Sequence, residues 1–252
     1  MISRLVMHGA RSLGLRKYFE RDITMLRSDI NEFIREGDAF FRQHGFILPP
    51  FAYWTPQEMR ERKGEAGLIL EGGLGWDVTD YGDGHYDTLG LFLFTLRNGN
   101  AGDLGKASGG RVYAEKLLIS AQDQISPMHR HIVKTEDIIN RGGAVLVLEL
   151  FKAAPDGSID REAGFEVMTD GIWRKMTAGG LLALHPGESV TLTPDIWHAF
   201  WGDGGRVCIG EVSTVNDDRT DNIFEAQIGR FSSVEEDEAP LHLLVSDYDT
   251  KL

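Results

Sequence analysis

His129-Arg130-His131-Ile132-Val133-Lys134-Thr135-Glu136 is the stretch whose reading decides the fold. His129 and His131 are two residues apart, so on a β-strand both imidazoles leave the same face. Glu136 stands at an odd offset from them and reaches that face only through an intervening turn or bulge. A third imidazole, His198, closes Pro194-Asp195-Ile196-Trp197-His198, after a run from Gly187 to Pro194 that reads as a turn and a short strand. Three imidazoles and one carboxylate suit a divalent first-row transition metal. Ligands taken from separated strands and converging inside an all-β barrel are the simplest geometry that uses all four.

The chain around this stretch agrees with that geometry. Leu89 to Leu96, Tyr113 to Ile119, Ala144 to Phe151, Gly164 to Met168, Gly171 to Met176, Ser189 to Leu192 and Arg206 to Val212 read as strands. Turn signals separate them: Arg97-Asn98-Gly99-Asn100, Arg141-Gly142-Gly143, Pro155-Asp156-Gly157, Asp170-Gly171, Gly179-Gly180, Pro186-Gly187 and Gly202-Asp203-Gly204-Gly205. Short strands at such spacing indicate a sandwich or barrel. Ahead of them, Met25 to His44 reads as an amphipathic helix that Thr24 would cap, stopped by Gly45 and Pro49-Pro50. Pro56 to Lys63 reads as a short helix with Thr55 as N-cap. The expected architecture is an all-β barrel with an N-terminal helical layer, forming a single domain over residues 25–252. Residues 232–239 are acidic and read as a surface loop, and Leu241 to Val245 as a last edge strand.

Residues 1–24 carry Arg4, Arg11, Arg16 and Lys17 with no acid before Glu20. They read as a flexible extension, with a transit peptide as the alternative. A net charge of −13 argues against a nucleic-acid binder or an anionic-membrane protein, which need a basic face. No apolar run approaches the ~18 residues of a membrane span. The single cysteine, Cys208, excludes an internal disulfide and reads as a buried structural thiol. His8, His44, His85, His185 and His242 stand alone and read as ordinary surface or core histidines.

Residues 125–142 and 187–198 resemble the two motifs of the cupin superfamily, whose fold is a jelly-roll β-barrel. Narrower strings resemble the D-lyxose isomerase family: Leu48-Pro49-Pro50-Phe51-Ala52-Tyr53-Trp54, Leu74-Gly75-Trp76-Asp77-Val78-Thr79-Asp80, Glu136-Asp137-Ile138-Ile139-Asn140-Arg141-Gly142-Gly143, and Gly210-Glu211-Val212-Ser213 with Asn216-Asp217-Asp218. The similarity runs over residues 25–230. It implies that His129, His131, Glu136 and His198 bind a divalent metal, usually Mn2+. It also implies interconversion of D-lyxose with D-xylulose, often of D-mannose with D-fructose, by a cytoplasmic homodimer acting on free sugars. The same donors also accept Co2+, Fe2+, Ni2+ or Zn2+.

Aldose–ketose isomerisation moves hydrogen between C2 and C1 and needs stabilisation of the charge developing on oxygen, together with a positioned proton shuttle. Glu211 follows a glycine in the last expected barrel strand, where a carboxylate among apolar neighbours has a raised pKa. Lys134 lies between two ligands. Both are candidate catalytic groups. Lys116, on a strand with apolar neighbours, is expected to point inward and bind a substrate oxygen. Asp218, with Asp217 and Arg219, is a candidate for sugar hydroxyls or a subunit interface. Trp54, with Trp76 and Phe200, is a candidate apolar wall for the sugar. The alternatives are a cupin dioxygenase, which uses the same ligand types, and a non-catalytic sugar-binding cupin.

Overall fold

Ile30, Ile34, Gly37 and Phe41 recur at helical spacing and make one buried stripe. That stripe lays a helix across the outside of a sheet. The computed structural model describes residues 24–106, 110–215, 217 and 220–252. The expected extension at residues 1–24 lies outside the described residues except for Thr24. Met25–Leu26 form a two-residue strand, β1, followed by the helix α1, Arg27–Gln43. The short helices α2 (Pro56–Glu61) and α3 (Gly67–Glu71) complete the N-terminal layer. The strands are β2 (Gly75–Thr79), β3 (Leu91–Asn98), β4 (Tyr113–Ser120), β5 (Ser126–His131), β6 (Glu136–Ala153), β7 (Ile159–Asp160), β8 (Phe165–Thr169), β9 (Ile172–Met176), β10 (Gly180–Leu184), β11 (Ser189–Leu192), β12 (Ile196–Thr214), β13 (Asn222–Phe224) and β14 (Val234–Glu235). A last turn of helix, α4, spans Tyr248–Lys251.

The main path of the large sheet runs β2-β3-β4-β12-β6-β11-β8-β9, with β5, β7, β10 and β13 joined to it beside that path. Its pairings are antiparallel. Alternation along each strand separates two cores. Leu91, Leu93, Leu118, Ile138, Leu148, Val207 and Ile209 fill the barrel interior. Phe92, Phe94, Trp76, Val78, Leu117, Ile119 and Cys208 face outward onto the stripe of α1. The approach at Gly37 is so close that a Cβ there would meet the Phe92 ring at 2.3 Å. Only glycine fits without moving the helix.

The largest departure from expectation is at the two glycine-rich segments read as turns. Arg141-Gly142-Gly143 and Gly202-Asp203-Gly204-Gly205 do not end strands; they lie inside β6 and β12. The β6–β12 ladder shifts register between Asp203 and Val207 and again between Cys208 and Ile209. These are β-bulges, and the glycines supply the backbone angles: Gly143 has φ 93° and Gly204 φ 81°. Past the bulges β12 changes neighbours, from β4 to β5, and β6 changes from β11 to β10. Two long strands thus build both halves of the barrel.

Three further expectations change. Met25–Leu26 pair in parallel with β14 rather than starting the helix, and the N-cap of α1 is Leu26, with no side-chain cap. The acidic segment supplies the missing cap: Asp237 accepts from Ser28 N at 2.9 Å, Glu236 and Asp247 bracket the buried Arg27, and Glu238 accepts from Asn31. Carboxylates are favoured at a helix N-terminus because they meet unpaired N–H groups and the positive end of the dipole. Leu241 to Val245 form no strand; Leu244 makes one isolated bridge to Trp76. The expected α2 cap is observed as a full capping box between Thr55 and Glu58. Among the described residues no helix is long and apolar enough to cross a membrane.

Candidate active site

His129 on β5 stands directly opposite His198 on β12, and the ring centroids are 4.1 Å apart. His131 lies two residues further along β5, on the same face, as the period of a strand requires. One nitrogen from each of the three rings falls within 4.8 Å of the others. Glu136 joins them by opening β6 after the four-residue loop Ile132 to Thr135. Its Oε1 lies 3.1 Å from His131 Nε2 and 3.2 Å from His198 Nε2. The loop reverses the chain and so resolves the odd offset between the second imidazole and the carboxylate.

The donor chemistry fits a metal ion. His129 Nδ1 sits 2.8 Å from the Pro127 carbonyl and His198 Nδ1 3.2 Å from the Ile196 carbonyl. A carbonyl only accepts, so each Nδ1 carries the proton and each Nε2 keeps a lone pair. His198 Nε2 is buried and, despite its distance to Glu136, is not in hydrogen-bond geometry. Burial, with the neighbouring imidazoles, pushes the His129 pKa well below the ordinary histidine value, and burial with the Lys134 charge lowers that of His131. Burial opposes ionisation of Glu136, but Lys134 and His131 outweigh it and hold the carboxyl well below the usual range. Neutral imidazoles and an ionised carboxylate are the forms that ligate a cation.

Beside the ligands lies a buried acid–base cluster. Lys134 Nζ is 2.6 Å from Glu136 Oε2 and 2.9 Å from Glu211 Oε1. Lys116 Nζ is 3.5 Å from the same Glu211 oxygen, and Ser213 Oγ donates to it at 3.4 Å. Lys116 and Glu211 are register partners on β4 and β12, so both project into the barrel. Glu211 therefore meets two ammonium groups rather than the apolar surroundings expected from its neighbours in sequence. All four charged side chains are at most 5% exposed.

Trp54 and Trp76 are placed away from this site. Trp54 packs in the helical layer against the cluster of Met59, Ala66 and Leu243, under the Arg62 guanidinium. Trp76 faces that layer too and donates to the Ala52 carbonyl. Phe200 is in the barrel core. Asp218 and Arg219 lie outside the described residues, and Asp217 is exposed. Arg130 points away from its histidine neighbours and clamps the Gly157 and Pro194 carbonyls. Among the described residues, Ser213 beside Glu211 was no site candidate in the sequence, nor was Asp221, whose Oδ2 is 3.9 Å from His131 Nδ1. Asp221 precedes a three-residue strand, too short for its periodicity to be read.

Fold and site together define a class: a cupin-type barrel enzyme with three inward histidines able to hold a metal ion. Residues 25–248 match the D-lyxose isomerase family, and the chain belongs to it. It is 43% identical over 229 residues to a D-lyxose/D-mannose isomerase of Serratia proteamaculans, covering 89% of this chain and 98% of that protein. It is 40% identical over 227 residues to a D-lyxose/D-mannose isomerase of Escherichia coli O157:H7, with the same coverage. The fold also resembles the L-ribose isomerases of Cellulomonas parahominis (TM-score 0.58, 14% identity, 85% of this chain and 100% of that one) and Acinetobacter sp. DL28 (TM-score 0.57, 16% identity, 84% and 99%).

Proposed function

We propose that this protein interconverts D-lyxose with D-xylulose, and D-mannose with D-fructose, using His129, His131, Glu136 and His198 to hold a divalent cation, Mn2+. The observation that carries the reading is the Lys134 ammonium, held between Glu136 and Glu211 and adjacent to the ligands. When bound, the cation supplies electrostatic stabilisation of the negative charge that develops on the sugar oxygens.

The chain's own residues do the rest. The net reaction moves one hydrogen from C2 to C1 and one from O2 to O1. Glu211 accepts the C2 proton and returns it to C1 from the same face. Lys134 gives a proton to O1 as its charge builds and recovers one from O2. Lys116, the other ammonium beside Glu211, donates to a substrate oxygen. The walls of the barrel exclude bulk water, which strengthens each of these interactions. Uncharged sugars suit this site: its two ammonium groups are already engaged with two carboxylates, whereas a sugar phosphate calls for an arginine cluster. We also propose that residues 25–252 act as one domain, as a homodimer, in the cytoplasm.

The test offers purified protein with Mn2+ the sugars D-lyxose, D-mannose, D-xylose and D-ribose and measures ketose. Formation from D-lyxose and D-mannose is expected; no ketose from any of the four contradicts the reading. A dioxygenase would instead consume oxygen.

A further inference from the structure

The loop between the second imidazole and the carboxylate has little packing of its own. Ile132 and Val133 at its tip are 51% and 61% exposed. Yet Lys134, the next residue, is buried with its ammonium fixed to two carboxylates. Something other than apolar contact must hold this turn, and the hydrogen bonds identify it. Three consecutive backbone N–H groups converge on one side chain. Ile132 N donates to Asp221 Oδ1 at 3.1 Å, Val133 N to the same oxygen at 2.8 Å, and Lys134 N to Oδ2 at 3.1 Å. Successive amides aimed at one point form an anion-binding nest, and here a buried carboxylate fills it. Such charge-assisted bonds are roughly twice as strong as neutral ones.

Asp221 is itself firmly placed. It immediately precedes β13, which pairs with β5 so that Asn222 faces His131 and Phe224 faces His129. Its carbonyl accepts a further bond from Ile132 N, and its own N–H donates to Asp217 O at 3.0 Å. Its Oδ2 also lies near His131 Nδ1, a buried atom with no hydrogen bond of its own. Ligation through Nε2 leaves the proton on Nδ1, where a nearby carboxylate orients the ring. One side chain thus bonds the backbone of the lysine near the loop's end and lies 3.9 Å from the imidazole at its start.

We propose that Asp221 is a positioning residue for this site, holding the His131–Lys134 loop so that the imidazole and the ammonium stay in register with Glu136 and Glu211. Its catalytic consequence rests on the isomerase reading, whereas its effects on the loop and on metal affinity do not. The experiment compares wild type with D221N and D221A by hydrogen exchange of the 132–134 amides without metal, by Mn2+ titration calorimetry, and by kcat and KM on D-lyxose. Asparagine keeps one acceptor oxygen for Val133 but turns an NH2 toward Lys134 N–H. In D221N the Lys134 amide should exchange about tenfold faster or more, with Val133 less affected. In D221A both amides should lose protection. Ile132, which keeps the Asp221 carbonyl, should change least in either variant.

Mn2+ affinity should fall by about 10–100-fold in D221A and less in D221N. kcat should fall further than KM rises, because what is lost is alignment. A protein folded as wild type, with unchanged amide protection and Mn2+ affinity within twofold in both variants, would overturn the proposal. If D221A does not fold, the D221N exchange pattern alone decides: selective loss at Lys134 supports it, and no change or a uniform change refutes it. A wild-type protein inactive on every sugar would defeat the isomerase reading yet leave the exchange and titration tests standing.

Discussion

Lys134 donates to Glu211 across 77 residues of chain, Nζ to Oε1 at 2.9 Å, with both side chains buried. A loop lysine and a strand glutamate meet only because β5, β6 and β12 are closed into one barrel. The lysine also contacts the metal-ligand candidate Glu136. Burying this ion pair carries a desolvation cost that hydrophobic residues of similar volume would avoid. An arrangement that costs stability without serving structure is expected where chemistry is done.

Replacing Lys134 with methionine keeps the volume and removes the charge. We expect kcat on D-lyxose to fall by about 10²–10⁴-fold, the usual contribution of a positioned acid or base. The check is steady-state kinetics at saturating Mn2+. Equal turnover in wild type and Lys134→Met would contradict the role assigned to this residue.

Chelation should abolish turnover, and adding Mn2+ back should restore it. The holoprotein should melt higher, since a ligand at 100 times its Kd stabilises the native state by about 2.7 kcal/mol. His198→Ala removes a ligand candidate, so its melting temperature should no longer respond to Mn2+. Calorimetric scans with and without metal measure both effects.

Arg27 is fully buried, with bonds to Asp247 and Glu236. Arg27→Met leaves Asp247 without its cation, and loss of one partner of a buried pair costs about 3–5 kcal/mol. Denaturant unfolding should show that loss. The kcat of the folded fraction should be unchanged, because the pair lies in the outer layer.

Burial pushes the Cys208 thiol up to about 12. Essentially no thiolate exists at pH 8, and the thiolate is the reactive form. A thiol reagent should therefore fail to label the native protein at pH 8 and label it stoichiometrically in denaturant. Rapid labelling without denaturant would mean that the sheet face under α1 opens readily.

Much of the fold was legible because two periodicities carry it. The period of two placed His129 and His131 on one face, and helical spacing marked the stripe of α1. Two of the glycine clusters, at 141–143 and 202–205, read as turns but are bulges, since a bulge inside a long strand and a turn between two short ones use the same residues. The acidic run from Glu235 to Glu238 is exposed, as a surface loop should be, but its bonds to the start of α1 were not legible because that partner lies more than 200 residues away in sequence. Trp54 drew notice as an aromatic, but the helical layer consumes it. Asp221 left no mark: its role is set by where three amides point, and no spacing rule encodes that.

The most direct test of the central claim is D-lyxose turnover in D2O by the Mn2+-loaded wild type and its Glu211→Gln variant, with deuterium at C1 of D-xylulose read by NMR. Wild type should give D-xylulose carrying measurable deuterium at C1, because a proton held by Glu211 exchanges with solvent, and turnover should fall by about 10²-fold or more in the variant. Ketose formed with no deuterium at C1, or undiminished turnover by Glu211→Gln, would contradict it.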